Sequence, residues 1–140
     1  MFAALSHVAE LLATRFRLGD LPVVRDVQAD LAAGRRAGEQ RVVELREQLV
    51  MPLAQRFHET DDDDDDDVDG LDGVSFEENP AWQRMQAGIA LQIAARGPKG
   101  TALTVVDIPM VFDAYHHAGL ALGADWPAVR EAIREILSDA

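Results

Sequence analysis

The sequence predicts an all-α protein: a compact bundle of about six helices, two three-helix halves joined by a long acidic loop. Three observations carry that expectation. Apolar residues recur at spacings of three and four along most of the chain, Asp or Asn precedes proline where new helices should open, and a single run of aspartates interrupts the periodicity midway. At 140 residues and 48% hydrophobic content, the chain can bury the core of a single helical domain spanning 1–140, with helices one to three in 1–58, the acidic loop in 59–78 and helices four to six in 79–140.

Phe2, Leu5, Ala9, Leu12 and Phe16 fall on one stripe of a first helix running to about Arg17. Asp20-Leu21-Pro22 reads as a helix start, with Asp20 as the cap and Pro22 in the first turn, where its missing N–H is not needed. A second helix of about three turns then reaches Ala33, and Gly34-Arg35-Arg36-Ala37-Gly38 punctuates it. The third helix places Val42, Leu45, Leu49, Leu53 and Phe57 inward. Pro52 should kink or split it, because the ring clashes with the carbonyl four residues back.

Asn79-Pro80 opens a fourth helix, whose expected inner side is Trp82, Met85, Ile89 and Ile93 and whose end is Gly97-Pro98-Lys99-Gly100. Thr101 to Val106 is short and β-branched, a candidate for a brief extended piece. Asp107-Ile108-Pro109 then opens a fifth helix facing inward through Ile108, Val111, Phe112, Tyr115, Gly119 and Leu122. Asp125-Trp126-Pro127 opens a sixth, with Trp126, Val129, Ile133 and Leu137 inside. The repeated Asp, apolar, Pro signal is capping chemistry and carries no catalytic content.

Charge is strongly localised. The chain carries a net charge of -12, and the stretch from Glu59 to Asn79 alone holds twelve acids and no base. On either side the balance is close to neutral, with eight bases against seven acids up to His58 and five against six from Pro80 onward. The acids are Glu59, the unbroken run Asp61, Asp62, Asp63, Asp64, Asp65, Asp66 and Asp67, then Asp69, Asp72, Glu77 and Glu78. Adjacent aspartates repel one another and compete for local backbone hydrogens, so this stretch resists helix and reads as a solvated acidic loop. Those from Asp61 to Asp67, with Asp69, Asp72, Glu77 and Glu78, are the expected contacts for a basic protein surface.

A second reading of the same stretch is calcium. Asp67-Val68-Asp69-Gly70-Leu71-Asp72-Gly73-Val74-Ser75-Phe76-Glu77-Glu78 resembles the EF-hand loop in its alternating acids and its closing Glu78, which implies oxygen ligation by Asp67, Asp69 and Glu78. In that frame Leu71 takes the fifth position, which needs an oxygen, and Asp72 the sixth, which wants glycine. The frame that uses Asp65, Asp67 and Asp69 with Gly70 at the turn puts Phe76 at the twelfth position. Neither frame is intact.

Catalytic constellations are sparse. Asp113 lies three residues before His116 and four before His117, so a small helical metalloenzyme is an alternative, and His7 with Glu10 forms a similar pair. Di-metal bundles need Glu-x-x-His on two helices, and the chain contains none. It has no cysteine, its serines Ser6, Ser75 and Ser138 sit in no nucleophile elbow, and Gly97-Pro98-Lys99-Gly100 lacks phosphate-loop spacing. Arg35, Arg36, Arg41 and Arg46 form the basic cluster; Glu39, Glu44 and Glu47 largely offset it, and no aromatics interleave it, which argues against direct nucleic-acid binding.

No stretch of about 18 apolar residues suggests a membrane span, and the start lacks the leader of a signal peptide. The expectation is therefore a cytoplasmic protein, or a component of a particle assembled there, without a cofactor and not an enzyme. It would act as an adaptor, assembly or inhibitor subunit that presents its acidic loop to a basic partner, with self-association or membership of a larger assembly such as a viral particle as further possibilities.

Overall fold

The computed structural model describes residues 2–55, 79–97 and 108–139, and these consist of helices and their connections, with no strand among them. Helix α1 spans Phe2–Arg15, a 3-10 turn covers Leu18–Asp20, and α2 spans Pro22–Ala32. Helix α3, Glu39–Leu45, passes directly into a π turn at Arg46–Val50 and on through helical residues 51–55. Then come α4 at Pro80–Arg96, α5 at Ile108–Leu122, a 3-10 turn at Gly123–Asp125 and α6 at Trp126–Ser138. The expected acidic loop, the extended piece at Thr101 to Val106, and the predicted inner residue Phe57 lie outside the described residues. Among the described residues no helix is long and apolar enough to cross a membrane.

One of the predicted helix starts is realised as a cap. Asn79 is extended, its Oδ1 accepts from the Ala81 N–H at 2.9 Å, and Pro80 occupies the first turn. The Asp-apolar-Pro starts at Asp20 and Asp125 behave differently, and Asp107 lies outside the described residues. At α2 the capping position belongs to Leu21, because Asp20 is held inside the preceding 3-10 turn, where the Leu21 N–H bonds the Leu18 carbonyl. Asp125 stands at the head of α6 with helical backbone angles and makes no side-chain cap bond; its carboxylate faces Arg15 at 3.6 Å. Each of these aspartates lies within a 3-10 turn and so lacks the extended geometry a cap requires; at α2 that geometry falls one residue later, on Leu21.

Pro52 does perturb its helix. The strain is taken up one turn earlier, where the Met51 N–H bonds the Arg46 carbonyl five residues back instead of four. A widened turn gives room to a ring that would otherwise press on the preceding carbonyls.

The core is a continuous cluster to which α1 contributes Ala4, Leu5, Val8, Ala9 and Leu12, α2 contributes Val24, Val27 and Leu31, and α3 with its π turn contributes Val42, Leu45 and Leu49. Helix α4 lies among these elements, touching α1, α2, α3 with its π turn, and α5. Its buried residues are mostly small: Ala87, Gly88, Ala90, Ala94 and Ala95, with Leu91 and Gln86. The expected side of Trp82, Met85, Ile89 and Ile93 is only half-buried, forming a flank beside the deep face. Helix α5 repeats the pattern, burying Ala114, Ala118 and Ala121 with Val111 and Leu122, whereas Phe112, expected inside, is 69% exposed and Tyr115 half-buried. Small residues let two helix backbones approach closely, and the bulky neighbours close the sides of the contact.

Helix α6 rests on α1 and α5 through buried Ile133 and half-buried Trp126, Val129 and Ile136; Leu137, expected inside, is exposed. Two glycines inside helices mark close contacts. A Cβ on Gly88 would stand 3.1 Å from the Leu49 Cβ, and one on Gly119 would stand 3.2 Å from the indole Nε1 of Trp126. Gly88→Val should therefore lower unfolding stability by about 1–3 kcal/mol through overpacking against the π turn. Ala128→Val on exposed α6 is the control and should change urea-unfolding stability by under about 0.5 kcal/mol.

Candidate functional site

The acids predicted to meet a partner, Asp61 to Asp67, Asp69, Asp72, Glu77 and Glu78, lie outside the described residues, as does every ligand of the EF-hand-like frames. The described residues place a different charged feature on the page, and it is built by the turn between α2 and α3.

Asp30 is the starting point. It is 8% exposed near the end of α2, and two arginines converge on its carboxylate: Arg35 at 3.1 Å from Oδ1, and Arg41, whose Nη1 donates to Oδ2. Arg41 also lies 3.9 Å from Asp26. A carboxylate removed from water is stable only when its oxygens are paired, and this fork does that while fixing the turn. The Arg35 N–H returns to the Asp30 carbonyl at 2.8 Å, and Gly34 adopts a positive φ of 68° that lets the chain reverse.

The same turn is stapled to the far end of α4. The Ala37 N–H donates to the Ala95 carbonyl at 2.9 Å, and the Arg36 Nε donates to the Arg96 carbonyl, one of the orphan acceptors at a helix C-terminus. Gly97 follows with φ 56°, and a Cβ there would press on the Arg36 Cγ and the Phe2 ring, both at 3.1 Å. Arg36 is therefore held by its stem and its Nε.

A cleft of about 460 Å³ results, lined by Arg36, Ala37, Glu39, Val42, Val43, Arg46, Gln92 and Arg96. Of the four arginines clustered in the sequence, Arg35 and Arg41 are committed to Asp30, while Arg36 and Arg46 join Arg96 around the opening. None of these three makes an ion pair among the described residues. The expected offset by Glu39, Glu44 and Glu47 is partial: Glu39 lines the cleft, whereas Glu44 accepts from Gln40 at 3.4 Å along α3. Sequence reading missed Arg96 and Gln92, which come from α4, half a chain away.

Two other polar features lie on α5. The His117 Nδ1 sits 2.6 Å from the Oε1 of buried Gln86 on α4, an interhelical hydrogen bond, while the His116 and His117 rings meet edge to face at 5.4 Å. Burial first, and then the neighbouring His116, push the His117 pKa below its ordinary 6.5, with Asp113 opposing. Asp113, His116 and His117 do not assemble a metal site: among the described residues no group of three His, Cys, Asp or Glu is placed to hold an ion. Tyr115 is half-buried in a tilted contact with Trp126, ring centroids 6.4 Å apart; its hydroxyl has no described partner, and burial raises its pKa above 10.0.

The chain matches no protein-family model, no curated protein and no solved structure.

Two outcomes follow from these contacts. Asp30→Ala should cost about 1–2 kcal/mol in urea unfolding, a modest loss because its arginine partners can turn to water. His117 binds its proton more weakly folded than unfolded, so its contribution to stability is complete above pH 6.5 and declines as the pH falls below it. Melting curves recorded from pH 7.5 downward should show that decline, and His117→Gln should reduce it.

Proposed function

We propose that the chain is a non-enzymatic interaction protein, a helical adaptor, assembly or inhibitor subunit that presents the acids between Asp61 and Glu78 to a basic protein surface. In this reading the three helices before and the three after that segment form one bundle and the segment is their long acidic connection. The observation that carries it is the partition of charge: the whole net charge of -12 is accounted for by the stretch from Glu59 to Asn79, and the flanking sequence is nearly balanced. A uniformly acidic surface would serve solubility, whereas concentrated charge beside a neutral body raises the encounter rate with an oppositely charged patch and favours one orientation of approach. A setting in the cytoplasm, or in a particle assembled there, fits a chain without cysteine.

The test is binding of a fluorescent oligo-arginine peptide at rising salt. Saturable binding should weaken steeply as the screening length falls through about 10 Å near 0.1 M salt. Replacing Asp61 to Asp67 with asparagine should weaken it at least about tenfold, since each exposed pair is worth up to about 1 kcal/mol. Equal binding by the asparagine variant would remove the basis for this function.

A further inference from the structure

We propose that the cleft bounded by Arg36, Arg46 and Arg96 is a receptor site for a carboxylate-rich strand supplied by a partner protein. The chain then has two charged contact regions of opposite sign, and this second one stands independently of the acidic segment. Among the described residues three arginines line the opening against the single carboxylate of Glu39, so this lining is electropositive on a chain whose net charge is -12. Three like charges that share one carboxylate repel one another, and an incoming anion relieves that repulsion while using donors that have no described acceptor.

The site is also prepared in shape. Arg36 is fixed by its bond to the Arg96 carbonyl and by its stem against Gly97, so ordering it costs little on binding. Val43, 42% exposed, offers an apolar wall for the methylenes of an aspartate or glutamate, and Gln92 offers an amide that can pair with a peptide backbone. Two features favour a peptide over a nucleic acid. Among the described residues no aromatic side chain lines the cleft, which denies bases a stacking platform. Glu39 would face a phosphate at every register of a nucleic-acid strand, whereas a peptide can set a neutral residue or an N–H opposite it.

The experiment measures fluorescence anisotropy of a labelled peptide of alternating aspartate and alanine, titrated with the full chain, against oligothymidine and inorganic phosphate as competitors. Saturable, salt-sensitive binding is expected, and the double variant Arg46→Glu, Arg96→Glu should weaken it about tenfold or more. Arg46→Glu alone, at an exposed position with no described side-chain bond, gives a smaller loss in the same direction and serves if the double variant does not fold. Changing Asp61 to Asp67 to asparagine should leave peptide binding unchanged or tighten it, tightening meaning that carboxylates of this chain compete for the cleft. Binding indifferent to both arginine changes, loss of peptide binding in the asparagine variant, or oligothymidine or phosphate binding more tightly than the peptide would each overturn the proposal.

Discussion

The rest of the structure depends on the narrow face of α4. This helix touches α1, α2, α3 with its π turn, and α5, and one 17-residue helix can do so only if its inward side chains are small. Ala87, Gly88, Ala90, Ala94 and Ala95 meet that condition, and α5 answers with Ala114, Ala118 and Ala121. Individual alanines bury little area, so the stabilisation comes from dispersion across a closely fitted contact more than from the transfer of large side chains. Larger residues fill the remaining volume from α1 to α3, with Leu5, Leu12, Leu31 and Leu45 among the most fully buried side chains.

That packing has a polar consequence at the C-terminal end of α4. Because the helix ends beside the α2–α3 turn, its last carbonyls are met by the Ala37 N–H and the Arg36 Nε instead of by water. Asp30 holds the other side of the turn through Arg35 and Arg41. The two sets of bonds divide the arginines between structure and surface, so the electropositive cleft is a by-product of how the turn is secured. Moving Asp30 would release Arg35 and Arg41, and moving the end of α4 would release Arg36.

The helical class and most helix positions were legible in the sequence, since periodicity in α1 and α3 reports large buried residues: Leu5, Leu12, Leu45 and Leu49 are buried where the spacing put them. The face of α4 was misread, and that of α5 in part, because alanine and glycine carry weak periodic signal while Trp82, Ile93 and Phe112 lie on a flank; Val111 and Leu122 are buried where the spacing put them. Caps were legible at Asn79, where the backbone arrives extended, and not at Asp20 or Asp125, where a 3-10 turn intervenes. Of the cleft, Arg36 and Arg46 stood in a visible cluster; Arg96 entered through tertiary contact alone, and which arginines Asp30 would claim depended on its burial. The acids singled out from Asp61 to Glu78 lie outside the described residues, and the role proposed for them rests on charge.

Native-state hydrogen exchange of α4 is the most direct measurement of this account. If the small-residue face is what the other helices are built on, the amides from Ala87 to Ala95 exchange only through global unfolding, with a free energy equal to that from urea denaturation. Exchange of those amides through local openings, at a lower free energy than the core amides of α1 or α3, would contradict it and place the keystone of the fold elsewhere.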